Sequence, residues 1–471
     1  MGFTGLALGA ILFRNGIARA EPNAPGWRPP DGKPHFPPKA KSVIWIFLCG
    51  GVSHLESFDV KPELNKYAGK SIDDTPYKAV LDPKKVNANI VGGNPAHGNR
   101  KVIMPLQAGY KAYGKSGLVV GDWFKSIGEC ADDLAVIRSL WTLDNDHGAQ
   151  LTFQTGRHVR EGAHPTLGSW VSYGLGALNE NLPEFVVLGV PTGDCCGGAW
   201  THGAAYLGPE HAGVRLTVDQ KRPLPFIAPA GNALSMEEQA ENLSLIGKLN
   251  HLAGVDYPDD KDLRARIKSY ELAFQMQTSV PETLQLEKES EATRKSYGID
   301  KPGTKSFGEQ CLVARRLIER GVCFVQIFHG GGGGGEWDAH SEIKSNHSKL
   351  ATQIDQPIGA LLKDLKQRGL LQETLVVFGT EFGRSPGAEG TGRDHHPQGF
   401  CAWIAGGGIK GGVVHGATDE LGFHAIENRH YVTDIHATVL HQLGLDSHRL
   451  EVPGRKRLDI DHGEPIGQIL A

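Results

Sequence analysis

No stretch of this sequence concentrates basic residues: 49 Lys and Arg stand against 53 Asp and Glu, a formal charge of −4. Nucleic-acid binding needs a basic patch or stripe, so that class of partner is excluded, and a small-molecule or polysaccharide substrate is expected instead. The apolar stretch at the N-terminus is too short to cross a bilayer, so no stable membrane span is expected. Seven cysteines, two of them adjacent at Cys195 and Cys196, contain no C-x-x-C repeat and no zinc-finger spacing. Two catalytic motifs are also missing. Residues 109–116, GYKAYGKS, have the spacing of a P-loop, but a P-loop must lead into a helix and Gly-Leu-Val-Val follows here. A serine hydrolase needs G-x-S-x-G, whereas Ser53 sits in Gly-Val-Ser-His-Leu, an incomplete elbow.

What is present begins with an export signal. GFTGLALGAILF leads to Ala18-Arg19-Ala20 before Glu21, an apolar stretch followed by a small-x-small cleavage site. The expected location is therefore outside the cytoplasm, in the periplasm, with residues 1–20 as the signal segment. The basic segment usually found ahead of the apolar stretch is missing, which leaves an upstream start or a buried helix open. Export would permit a disulfide, but no pairing can be read from the sequence.

A Pro-rich linker is expected over residues 21–41, a main domain over 42–450 and a tail over 451–471. The length of 471 residues exceeds the usual single domain, so the main domain should carry insertions or divide in two. SVIWIFLCGG at 42–51 is an unbroken apolar run ending in two glycines, the pattern of a strand buried on both faces. Similar runs occupy 134–141, 185–190, 322–328, 375–380 and 400–407. Helical patterns lie between them. One opens on a Ser306/Glu309 capping box and stops at Gly321; a second covers 356–369 with Pro357 in its first turn; a third covers 434–443. The alternation predicts an α/β fold, a doubly wound, mostly parallel sheet with helices on both faces. Residues 230–300 are charged and helical in pattern, and are expected to form a helical insertion.

In such sheets ligands bind beyond the carboxyl ends of the strands, and that is where polar residues gather here. GGVSHLESFD follows the first strand with Ser53, His54, Glu56 and Asp59, and TLDNDHGAQ follows the second with Asp144, Asn145, Asp146 and His147. HGGGGGGEWDAH follows the fourth with Asp338 and His340, and Glu381-Phe-Gly-Arg384 follows the fifth. GRDHHPQG, with Asp394, His395 and His396, precedes the last as a loop. Imidazole with carboxylate suits zinc, manganese or iron, and these clusters hold enough ligands for two ions. Asp338, His340 and His395 are the leading candidates; His347, His415, His424, His436 and His441 are expected to be ordinary core or surface histidines. The run Gly330–Gly335 is read as a floppy surface turn rather than a phosphate cradle, because no helix pattern starts directly after it.

The stretches GGVSHLESFD, QTGRH, EWDAH, GTEFGR and GRDHHPQGF, in this order over residues 42–445, resemble the alkaline phosphatase superfamily. They are closest to an exported, sulfatase-like branch of unknown function, whose members carry a GGPSH-like turn, TGR, W-D-x-H, E-F-G-R and G-R-D-H. The resemblance implies an alkaline-phosphatase-like sheet, one or two divalent ions (zinc, manganese or calcium), and hydrolysis or transfer of sulfate or phosphate esters. Asp338, His340 and His395 then resemble the ligands of one ion, and Glu56 or Asp59 with Glu381 those of the other. The superfamily's usual Asp-His pair is Glu381-Phe382 here, and ahead of Thr155-Gly156-Arg157 the chain reads Asp146-His147-Gly148-Ala149-Gln150 instead of C/S-x-P-x-R. No formylglycine motif occurs.

Without a side-chain nucleophile, the expected mechanism is a metal-activated water. His147 is a candidate acid/base or ligand, Asp146 a candidate catalytic group, and Arg384 a candidate bidentate clamp on an anionic oxygen. Arg157 is read as a structural ion-pair partner. The competing expectation is a binding or scaffold protein that kept the fold and lost hydrolysis.

Overall fold

The computed structural model describes residues 30–82, 84, 100–176, 182–219, 280, 282–455 and 457–471. The expected signal segment lies outside them, as does the expected helical insertion apart from 280 and 282–300.

The apolar runs become strands because both of their faces are covered. In β1 (Ser42–Leu48) every residue is buried. Its side chains alternate between two cores, Ile44, Ile46 and Leu48 on one side and Val43, Trp45 and Phe47 on the other. The remaining sheet strands are β2 (Leu134–Trp141), β3 (Phe185–Leu188), β4 (Val214–Arg215), β5 (Phe324–His329), β6 (Thr374–Thr380), β7 (Phe400–Ala405), β8 (Val413–His415) and β9 (His430–Tyr431). Their order is β8-β2-β7-β6-β1-β5-β3-β4, with β9 also on β2. Within this sheet all pairs among the described residues are parallel except those of β7, which runs against both β2 and β6. That reversal places the chain entering β7 at the same sheet edge as the chain leaving the parallel strands.

The longer helices are α1 (Ala149–Thr155), α2 (Leu167–Leu175), α3 (Pro302–Glu319), α4 (Ile343–Gln367) and α5 (Val432–Gln442). Leu312 and Leu317 of α3, with Ile354 and Leu361 of α4, cover one face of the sheet. Trp170 and Val171 of α2, with Ile435 and Val439 of α5, cover the other. Two boundaries differ from the sequence reading. α3, expected to open on the Ser306/Glu309 capping box, starts at Pro302, which occupies the first turn; the fixed φ of proline is already helical, and its missing N–H is one the first turn leaves unpaired anyway. α4 already begins at Ile343, so Pro357 lies inside it rather than in its first turn. Ile343, His347, Leu350 and Ile354 continue the buried stripe backwards, and the polar His347 hid that period.

The segment 451–471 packs onto the main body through the buried Ile466 and Ile469, and Leu470 bridges to Ile409. No helix among the described residues is long and apolar enough to cross a membrane.

Candidate metal centre

β6, β1 and β5 are adjacent, so the segments leaving them meet at one edge. Glu381 directly follows β6; Gly50 lies two residues beyond β1, and its N–H donates to Glu381 Oε1 at 2.8 Å. Gly50 has φ +115° and abuts the Asp338 backbone, so any larger residue would displace Asp338. Asp338 arrives from β5 through Gly330–Gly335. This run is not a floppy turn. Its backbone is packed into the site: a Cβ on Gly334 would lie 2.8 Å from the His147 ring, and Gln150 Nε2 donates to Gly334 O at 2.6 Å. GRDHH also differs from expectation, since residues 392–396 form a strand paired with Gly383–Glu389 in an antiparallel hairpin rather than a loop. That arm carries His395 to the edge.

Asp338 Oδ1 lies 3.0 Å from His340 Nε2 and 3.1 Å from His395 Nε2, and the two nitrogens are 3.0 Å apart. The far nitrogens fix the rings. His395 Nδ1 donates to the Asn145 carbonyl at 2.8 Å, and His340 Nδ1 to Glu389 Oε2 at 2.5 Å. With those protons placed, each Nε2 of a neutral ring turns a lone pair toward a carboxylate oxygen that is itself only an acceptor. Three converging acceptors need a cation among them, a proton or a metal. Tetrahedral donors about 2.1 Å from a zinc ion are about 3.4 Å apart, a few tenths of an ångström wider than the spacing seen here.

His147 lies on the other side of Asp338. Its Nδ1 is 3.2 Å from Glu381 Oε1. Its Nε2 is 3.0 Å from Asp338 Oδ2 but off the line a hydrogen bond needs, leaving a buried nitrogen without a hydrogen-bond partner. An orphaned imidazole nitrogen beside a carboxylate also fits an ion. The ligand atoms of His147, Asp338 and His395 lie within 4.8 Å of one another, as do those of His340, Asp394 and His395. Burial works against charge on His147, yet Asp338 and Glu381 push its imidazole up to about 9. Burial would raise Asp338, but the three imidazoles and Arg384 hold its carboxyl well below the usual range. His340 is raised, chiefly by Asp338, and burial lowers His395 to about 4.

Other expected site residues stand elsewhere. Glu56 is fully buried against Arg393, 2.7 Å from Nη2, and Asp59 is held by Lys61 at 3.1 Å and by Thr418. Neither joins the cluster with Glu381, because Arg393 neutralises Glu56 while Lys61 and, at 3.6 Å, Arg138 neutralise Asp59. Arg384 is not an open anion clamp. It is fully buried, donating to the carbonyls of Gly50, Gly51, Trp337 and Arg393 and, at 2.8 Å, to Asp338 Oδ1. It braces Asp338. Asp146 is exposed, and its carboxylate accepts from the His147 backbone N–H at 2.8 Å. Arg157 pairs with Glu161 at 2.6 Å and Asp461 at 2.5 Å.

The Glu56–Arg393 pair yields a direct test. Arg393→Met strands a buried carboxylate and is expected to destabilise the fold by about 3–5 kcal/mol in urea titrations. Glu56→Gln alone should leave metal content unchanged, and a fall in zinc stoichiometry would return Glu56 to the ligand set.

A family model described as "Protein of unknown function (DUF1501)" matches residues 40–470. The chain belongs to the DUF1501 family. No curated protein matches it in sequence. Among solved structures, PsFucS1 sulfatase from a Pseudoalteromonas species is 13% identical, with 98% of this chain and 74% of that one covered, at a TM-score of 0.35. The lipoteichoic acid synthase LtaP from Listeria monocytogenes is 8% identical, with 93% and 80% covered, at 0.37. A mutant of TAB5 alkaline phosphatase is 12% identical, with 87% and 99% covered, at 0.33. Likeness at this level assigns no activity.

Three residues of this DUF1501 chain were outside the expected ligand and catalytic set. Asp394 sits beside His395 and was visible in GRDHH. Glu389 and Arg100 were not signalled: Glu389 orients His340, and Arg100 Nε donates to Asp394 Oδ2 at 3.0 Å. Both contacts depend on the hairpin, which no local pattern announces.

Proposed function

We propose that this protein is a divalent-metal-dependent hydrolase of sulfate or phosphate esters, exported to the periplasm, with water as the nucleophile. The observation that carries the reading is the convergence of Asp338 Oδ1, His340 Nε2 and His395 Nε2, each within about 3 Å of the others, with both rings oriented from behind. Asp338, His340 and His395 would hold the ion, with Asp394 in reach; a second ion would be held by His147, Asp338 and Glu381. Imidazole donors favour zinc over the oxygen-seeking calcium. When bound, such an ion supplies Lewis acidity, lowering the pKa of water and drawing charge from an ester oxygen.

The chain's own groups do the rest. Arg384 fixes the Asp338 carboxylate so that it need not reorganise. Where only the first ion is bound, His147 lies between the Asp338 and Glu381 carboxylates with no ion on its ring, and is placed to hand a proton to the departing alkoxide. Glu381 keeps that ring in position. The N-terminal apolar segment supports export.

The reading is tested by metal analysis of purified protein and a panel of sulfate and phosphate esters. One or two zinc ions per chain are expected, with hydrolysis that a chelator abolishes and added zinc restores. Protein that holds no stoichiometric metal and cannot be reconstituted would sink it.

A further inference from the structure

The adjacent cysteines lie against the glycine run, whose Gly334 packs against the His147 ring. Cys195 is exposed and Cys196 is buried, and their sulfur atoms are 2.7 Å apart, well inside ordinary sulfur–sulfur contact. Gly193 N–H donates to Gly333 O at 3.2 Å, and Cys195 Sγ lies 3.6 Å from the same oxygen. The next residue, Gly334, is the one that has no room for a Cβ beside His147. Gly197 and Gly198 follow the pair with φ +110° and +47°, so the backbone after it already occupies the left-handed region, where a glycine can absorb a rotation.

We propose that Cys195 and Cys196 close reversibly to a vicinal disulfide, and that closure acts through Gly333 and Gly334 to displace His147. The chemistry is exchange with a disulfide of low molecular weight. The Cys195 thiolate attacks one sulfur of the oxidant and expels a thiolate, giving a mixed disulfide; Cys196 sulfur then attacks Cys195 Sγ, loses its proton and expels the second thiolate. Two protein thiols are oxidised and one external disulfide is reduced to two thiols. Exposure makes Cys195 the attacking sulfur, while burial, with help from Cys195 and Glu381, raises the Cys196 thiol.

Adjacent Cα atoms are about 3.8 Å apart, shorter than the usual disulfide separation of about 4.4–6.8 Å, so any vicinal bridge is strained. Strained, exposed bridges are readily reduced, which is the behaviour of a switch rather than a staple. The other five cysteines are all buried.

The test treats the full-length protein with oxidised glutathione, maps disulfides by mass spectrometry and measures Zn²⁺ binding by calorimetry in both redox states. A loss of about 2 Da within the peptide holding Cys195 and Cys196, reversed by dithiothreitol, is expected. So is a several-fold weaker Zn²⁺ affinity in the oxidised state, absent from Cys195→Ser. Thiols that stay open, a bridge from Cys196 to Cys49, or closure with unchanged Zn²⁺ affinity would each overturn the proposal. Its regulatory half rests on the metal-site reading, whose own failure is distinct: reduced protein that binds no Zn²⁺ at all.

Discussion

His395→Ala protein is expected to fold, to purify without zinc and to hydrolyse the esters cleaved by the parent no faster than buffer. His395 is common to both groups of converging ligand atoms, so its loss takes a donor from the ion held with Asp338 and His340 and leaves neither group complete. The substitution trades a buried neutral ring for a small apolar side chain and strands no charge, which is why the fold should survive it. Glu389→Gln separates ligation from orientation. It keeps the size of the side chain but weakens the acceptor that directs His340 Nδ1, and metal affinity or activity should fall about 10–100-fold. Zinc content by mass spectrometry and kcat/KM on the responsive ester read both variants. An alanine variant that retains full zinc and activity would remove His395 from the centre. An unaffected Glu389→Gln would mean that His340 is oriented by other contacts.

Acid is expected to unfold the protein at a midpoint above pH 4. His202, His329 and His436 are buried, and burial holds each at about 4 against an ordinary value near 6.5. Their neutral forms are accommodated. His329 accepts from Trp337 Nε1 at 3.0 Å and donates to Gln353 Oε1 at 2.9 Å, and His436 donates to Phe153 O at 2.8 Å. Above pH 6.5 neither the folded nor the unfolded chain protonates these rings, so stability is undiminished. As pH falls below 6.5 the unfolded chain takes up protons that the folded chain refuses, and stability drains away down to about pH 4. Three such groups amount to on the order of 10 kcal/mol over that range, comparable with the whole stability of a domain. Calorimetric Tm values from pH 8 to 4 should decline steeply below about 6.5, and the urea midpoint should fall with them. A flat profile to pH 4 would show that these histidines titrate normally in the folded state.

The strands were legible because burial on both faces leaves a short unbroken apolar run, which its length and the flanking glycines and polar loops separate from a buried helix. β1, β2, β5, β6 and β7 fall where those runs do, and the helices between them follow from period and punctuation. Legibility failed where a polar residue enters a buried stripe, as His347 does in α4, and where a helix start was read from Ser306 rather than Pro302.

For the candidate centre, the sequence by itself determined the ligand types and the rule that they collect beyond strand ends. Asp338, His340, His395, His147 and Glu381 follow from it. Only the tertiary structure decided which of the polar clusters converge. Glu56 and Asp59 leave β1 at the correct edge, yet Arg393, Thr418 and Arg138 from other segments claim their carboxylates. Arg384 looks like an anion clamp in one dimension and proves to be a brace, because four carbonyls and Asp338 take its N–H groups. The physical reason is common to all three. A side chain's chemistry is a property of its residue, but its partner is set by the long-range packing that brings distant segments within about 3 Å, and no local pattern encodes that distance.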